Sequence, residues 1–193
     1  MFSTEKQKGG KVGYQLSKTI VLVGLMGAGK TAVGRLLAQE LGSAFIDSDD
    51  EIVEAANMSI TEIFERDGED FFRQKETQIL DRLLDGPPCV LSTGGGAYMS
   101  SLNRRLITQK GVALWLRADL DILWERVKHK DTRPLLRVAD PKAKLAELLA
   151  ARAPHYAKAE LVVDAKAHLT LEQMTTKTVQ VLLDSPISGV TRE

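Results

Sequence analysis

Thiol chemistry is almost missing from this chain: Cys89 is the only cysteine in 193 residues. No intramolecular disulfide can form, which excludes a disulfide-stapled secreted domain and suits a reducing cytoplasm. Cys89 stands in the apolar run Cys89-Val90-Leu91 and reads as a buried small hydrophobe, not a nucleophile. An excess of either charge is missing too. Lys+Arg and Asp+Glu both number 26, and the pI is about 6.9. A basic protein that coats nucleic acid or an anionic membrane is therefore not indicated. An anionic ligand would have to be met by a few placed cations. Long apolar runs are also lacking. The longest, residues 20–29, is too short to span a bilayer and holds Gly24, Gly27 and Gly29. Residues 1–17 contain no apolar core of a secretory signal. His129, His155 and His168 are not spaced as metal ligands, so no structural metal is expected.

What is there is globular. The composition is 44% hydrophobic and 27% charged, enough for one domain with a buried core. No internal repeat or low-complexity tract is visible. Residues 1–17 are polar and read as a flexible extension, and residues 185–193 read as a short tail. Between them, at 18–184, short apolar runs alternate with amphipathic stretches. The runs are 20–23, 44–46, 89–91, 112–116 and 161–163. None alternates with polar residues, as strands covered on both faces require. Val33, Leu36, Leu37 and Leu41 recur at helical spacing, as do Ile79, Leu80, Leu83 and Leu84. Leu145, Leu148 and Leu149, and later Leu171, Met174, Val181 and Leu182, do the same. The alternation predicts an α/β fold, three layers around a five-stranded parallel sheet. In such sheets ligands bind beyond the carboxyl ends of the strands. Function is therefore to be sought just after each apolar run.

The first run is followed by Gly24-Leu25-Met26-Gly27-Ala28-Gly29-Lys30-Thr31, which matches the P-loop pattern G-x-x-x-x-G-K-[ST]. Glycines let backbone N–H groups wrap a phosphate. The expected ATP cradle is Gly27, Ala28, Gly29, Lys30, Thr31 and Ala32. Lys30 reaches the β- and γ-phosphates, and Thr31 offers its hydroxyl to Mg²⁺. The only asparagines, Asn57 and Asn103, do not open an N-K-x-D motif, and no aspartate precedes a glycine by three, so a GTPase is not indicated. The third run ends Ser92-Thr93-Gly94-Gly95-Gly96, without the carboxylate that motor and transport ATPases often place there.

The second run ends Asp47-Ser48-Asp49-Asp50. If the strand persists, alternation puts Asp47 and Asp49 on one side. One carboxylate can support Mg²⁺, and the other can hydrogen-bond an acceptor hydroxyl and take its proton. Asp49 or Asp50 could equally cap a helix over residues 51–56.

Taken together, the P-loop, Phe45-Ile46-Asp47-Ser48-Asp49, Gly68-Glu69-Asp70-Phe71-Phe72-Arg73-Gln74-Lys75-Glu76, Gly94-Gly95-Gly96 and Arg133-Pro134-Leu135-Leu136 resemble the shikimate kinases, in that order, over roughly residues 18–184. The resemblance implies transfer of the γ-phosphoryl group of MgATP to the 3-hydroxyl of shikimate, within aromatic amino-acid (chorismate) biosynthesis. It implies that Asp47 with Thr31 serves the metal and that Asp49 binds the hydroxyls and orients or deprotonates the attacking one. Arg73, Arg152 and residues Gly94, Gly95 and Gly96 are implied at the substrate, with both arginines on its carboxylate. Arg133, in a lid at about residues 128–140, is implied on the transferring phosphate beside Lys30, and Arg126 on adenine. Residues 164–168 would rim the adenine. The expected partners are shikimate and ATP alone, with no nucleic acid or membrane, in a cytoplasmic monomer. Another small-metabolite kinase such as gluconate kinase, or a nucleotide-binding module without catalysis, are the rival readings.

Overall fold

The computed structural model describes residues 13–129 and 134–193. In chain order the elements are β1 (Tyr14–Leu16), β2 (Thr19–Val23), α1 (Lys30–Leu41), β3 (Phe45–Asp47), α2 (Ser48–Ala56) and α3 (Ile60–Leu84). Then follow β4 (Val90–Ser92), α4 (Ser101–Lys110), β5 (Gly111–Arg117), α5 (Leu120–Val127), α6 (Pro141–Tyr156), β6 (Leu161–Asp164), α7 (Leu171–Asp184) and β7 (Val190–Arg192). Short 3₁₀ turns occupy Ala97–Met99 and Pro134–Leu136.

All five apolar runs are strands of one parallel sheet, in the order β3-β4-β2-β5-β6. The chain moves one way along the sheet from β2 to β3 and the other way from β3 onward. Right-handed crossovers therefore put α1 on one face and the later crossover helices on the other. The packing agrees: α1 lies against α7, α3 against α4, and α5 against α6. β2 is central and every one of its residues is buried. Each such Ile, Leu or Val is worth roughly 1.5–3 kcal/mol of burial. Cys89 is buried, with its sulfur 3.9 Å from the Thr19 hydroxyl. Among the described residues no helix is long and apolar enough to cross a membrane.

Local chemistry ends the elements where it should. α3 begins with a capping box, Ser59 and Glu62 each bonding the other's backbone N–H. The helix bends at Gly68, whose φ of 83° and ψ of 172° suit glycine alone.

The chain ends depart from the sequence reading. Residues 14–16, expected to belong to a loose extension, pair antiparallel with residues 190–192 of the expected tail. Val190 is buried and Ser188 donates to the Leu182 carbonyl at 2.6 Å. Each strand is three residues long and draws its stability from the other, 170-odd residues away in sequence, so no local pattern announces it.

Candidate active site

The carboxyl ends of β2, β3 and β4 open into one cleft of about 680 Å³. The P-loop forms its floor. Gly24 has φ of 145°, and a methyl there would sit 2.9 Å from the Leu116 carbonyl of β5. Gly27 has φ of 83° and is pressed against α5 in the same way. Gly29, at φ 98°, is the N-cap of α1, so the N-terminal N–H groups of that helix face the cleft. Lys30 Nζ donates to the Gly24 carbonyl at 2.7 Å and to that of Leu25 at 3.3 Å. Gly27, Gly29, Lys30, Thr31 and Ala32 line the cleft. Ala28 is buried and contributes backbone.

Asp47 ends β3 and caps α2, accepting from the Asp49 backbone N–H at 3.1 Å. The capping role expected of Asp49 or Asp50 thus falls to Asp47, earlier in the chain than either. The strand does not persist to Asp49, so alternation is not what aligns the two acids. The first turn of α2 brings Asp49 into the cleft instead. The other oxygen of Asp47 accepts from the Thr31 hydroxyl at 3.2 Å. Two hard oxygen donors thus meet at the start of the P-loop helix, a set that fits Mg²⁺, which takes one or two protein ligands and keeps its waters. Asp49 Oδ1 is buried without a hydrogen-bond partner among the described residues. Burial first, then the neighbouring Asp47, push its pKa up to about 6, against the pull of Lys30.

Arg73 lies on α3 beyond the bend. It donates to Glu76 at 2.9 Å and to Glu69 at 3.2 and 3.3 Å. Pairing along its own helix thus holds the guanidinium at the site. Glu76 is only 2% exposed, and burial raises its pKa while Arg73 opposes the rise. Arg73, Glu76, Gly96 and Arg152 share a recess of about 390 Å³ with Glu69 and Asn103. The turn of Gly94, Gly95 and Gly96 divides this recess from the main cleft. A methyl at Gly94 would lie 2.7 Å from Asp49 Oδ1, one at Gly95 3.3 Å from Arg152, and one at Gly96 2.6 Å from Arg73. Three glycines in a row are needed because three charged side chains crowd the turn.

Arg126 donates to the Gly27 and Ala28 carbonyls at 3.2 and 3.1 Å, clamping the P-loop, instead of pairing along its own helix. Burial lowers its pKa. Glu125 is taken by Lys128. The far wall of the cleft is Leu169, Thr170, Leu171 and Met174, the start of α7, and not residues 164–168. Arg133 and the centre of the expected lid lie outside the described residues. Sequence reasoning missed Glu76 as a site residue and also Tyr156, whose hydroxyl donates to the Gly95 carbonyl at 2.6 Å. Glu76 was visible as the last residue of the G-E-x-x-F-R-x-x-E stretch. Tyr156 carried no signal beyond its place four residues after Arg152.

The shikimate kinase family model matches residues 26–183. A shikimate kinase of Ruegeria pomeroyi is 60% identical over 167 residues, which is 86% of each chain. That of Cereibacter sphaeroides is 56% identical over 181 residues, 94% of this chain and 90% of that one. Among solved structures, shikimate kinase from Acinetobacter baumannii in complex with shikimate has a TM-score of 0.81 at 39% identity, covering 86% of this chain and 93% of that one. A gluconokinase from Sinorhizobium meliloti reaches a TM-score of 0.57 at 19% identity, covering 86% of this chain and 91% of that one, a likeness of fold alone. A P-loop floor, a buried aspartate beside it and two arginines across a triple-glycine turn thus sit in a chain that belongs to the shikimate kinase family.

Proposed function

We propose that the two joined recesses divide the reaction between them, as a shikimate kinase requires. ATP lies along the P-loop, its phosphates on the N–H groups of Gly27, Ala28, Gly29, Lys30, Thr31 and Ala32. Its base lies between Arg126 and the start of α7. Thr31 and Asp47 hold Mg²⁺, which when bound neutralises phosphate charge. Shikimate spans the glycine turn. Its carboxylate meets Arg73 and Arg152, whose planar forks suit a carboxylate, and its 3-hydroxyl meets Asp49. The carboxylate of Asp49 orients that hydroxyl toward the γ-phosphorus and can accept its proton as the oxygen–phosphorus bond forms and ADP leaves. Lys30 stabilises the charge on the transferring group. The family resemblance assigns Arg133, in a lid at about residues 128–140, to the same task.

The observation that carries this reading is the position of Asp49, buried beside the P-loop lysine and within the electrostatic reach of Arg73. The Acinetobacter relative with shikimate bound supports the choice of acceptor. We further read the catalytic unit as residues 18–184 joined by the terminal ribbon, a cytoplasmic monomer. MgATP with shikimate or gluconate, followed by ADP release, tests the function. Turnover with shikimate alone is expected. Turnover with gluconate alone would overturn the assignment, and ATP binding without transfer to any acceptor would mark a non-catalytic module.

A further inference from the structure

The Tyr156 hydroxyl lies outside the phosphate and acceptor chemistry described so far, yet it is buried against both sides of the acceptor site. The ring is 1% exposed and packs on Trp115 with centroids 5.9 Å apart. Its hydroxyl donates to the Gly95 carbonyl at 2.6 Å. Arg152, one helical turn earlier on α6, lies on the same face as Tyr156. A methyl on Gly95 would meet Arg152 Nη1 at 3.3 Å and Tyr156 Oη at 3.7 Å, so all three groups converge on one point. Across the turn, Ala97 N–H bonds the Gly94 carbonyl and Met99 N–H bonds that of Gly96. Among the described residues no hydrogen bond is made by the N–H groups of Gly94, Gly95 or Gly96. Three successive N–H groups of the turn are thus left to serve an acceptor oxygen. Glycine alone does not hold such a turn in shape, because its φ and ψ are the least restricted of any residue.

We propose that Tyr156 is a positioning residue that makes the glycine turn selective for a carboxylate-bearing acceptor. Its bond to the Gly95 carbonyl locks the peptide between Gly95 and Gly96. That peptide is planar and trans, so its N–H points opposite to the carbonyl, away from Tyr156, and Gly96 itself lines the recess with Arg73. The same hydroxyl sits against the Arg152 guanidinium and sets its distance from the turn. One oxygen thus registers a cation and a backbone donor on the same carboxylate. The inference rests on the proposed acceptor reading.

The test compares shikimate with its methyl ester, which keeps the hydroxyls and loses the negative charge. In the wild-type enzyme, shikimate is expected to be preferred in kcat/KM by a hundredfold or more, a ratio typical of losing a charge-assisted contact. In Tyr156→Phe, which keeps the ring, the shikimate KM rises about tenfold or more, the ATP KM stays within twofold, and the preference over the ester falls about tenfold. A fold defect would raise both KM values or lower active concentration, and would leave the preference unchanged. Trp115→Phe is the control for packing: it lowers the melting temperature and keeps the preference. Should Tyr156→Phe not fold, Gly95→Ala, which displaces Arg152 from the other side, loses the preference in the same way. An unchanged preference in folded Tyr156→Phe or Gly95→Ala overturns the inference alone. Absence of any wild-type turnover with shikimate overturns the acceptor reading beneath it.

Discussion

Single residues here trade stability for chemistry. Asp49 is the clearest case. Its carboxyl has a pKa raised from 3.8 to about 6, chiefly by burial. The folded state therefore binds this proton more tightly than the unfolded state. The stability linked to it is complete below about pH 4 and is lost as pH rises through 6. Above that, the buried charge costs up to about 3 kcal/mol, two pH units at 1.36 kcal/mol each. Asp49→Asn is expected to melt higher than wild type at pH 7.5, with the gap closing by pH 4, and to lose turnover. An equal gap at both pH values in calorimetry would contradict the burial argument. The same carboxylate should give kcat/KM for shikimate an acid limb near pH 6. Arg73 needs a paired test. Replacing it by alanine strands the buried Glu76, whose partner it is at 2.9 Å. The expected loss is on the order of 2–3 kcal/mol, less than for a fully buried pair because Arg73 is 35% exposed. Arg73→Ala/Glu76→Gln should recover most of that stability in urea melts while the shikimate KM stays high. If the double variant also regains its KM, Arg73 acts only on the fold.

At the scale of elements, the bend in α3 is the device that brings a helix residue to the site. Gly68 has no heavy atom within 4 Å of where a methyl would go, so its cost on substitution is conformational and not steric. Gly68→Ala is expected to lose about 1–3 kcal/mol by denaturant midpoint, the strain of that backbone region for any other residue. A neutral result would mean that the helix straightens, and the shikimate KM should then move with Arg73. The five core strands were legible because each is a continuous apolar run, and the P-loop because glycine spacing is itself the structure. The start of α2 was not legible. Asp47, Asp49 and Asp50 are all competent caps, and which one serves depends on where pairing with β4 stops, at Asp47 opposite Ser92. Nor was the wall of the cleft after β6. Leu169 and Met174 are ordinary residues that line it only because α7 returns to pack on α1.

Across the described molecule, the site and the ribbon of β1 and β7 sit at opposite ends of the sheet. The cleft lies beyond the carboxyl ends of the strands, while the ribbon of β1 and β7 precedes β2 at its amino end. Ending the chain at Asp184 removes β7, unpairs residues 14–16 and uncovers the partly buried Tyr14 and Leu16. The expected result is a loss of about 2 kcal/mol, the burial of roughly one Val side chain, with ATP and shikimate KM values within twofold of wild type. A larger change in either KM would show that the ribbon reaches the site. The balanced charge of 26 against 26 excludes attraction of anions by the surface at large. It is met inside by Lys30, Arg73, Arg126 and Arg152 gathered around the cleft and its recess. The kinds of element, their order, the phosphate loop and the identity of the charged groups follow from local pattern, because strand burial, helical spacing and glycine turns are short-range properties. Which acid caps and which one faces the cleft, the grip of Arg126 on the P-loop, the pairing of residues 14–16 with 190–192 and the bond from Tyr156 to the glycine turn depend on residues far apart in sequence. Only the packed sheet brings those partners within hydrogen-bonding distance.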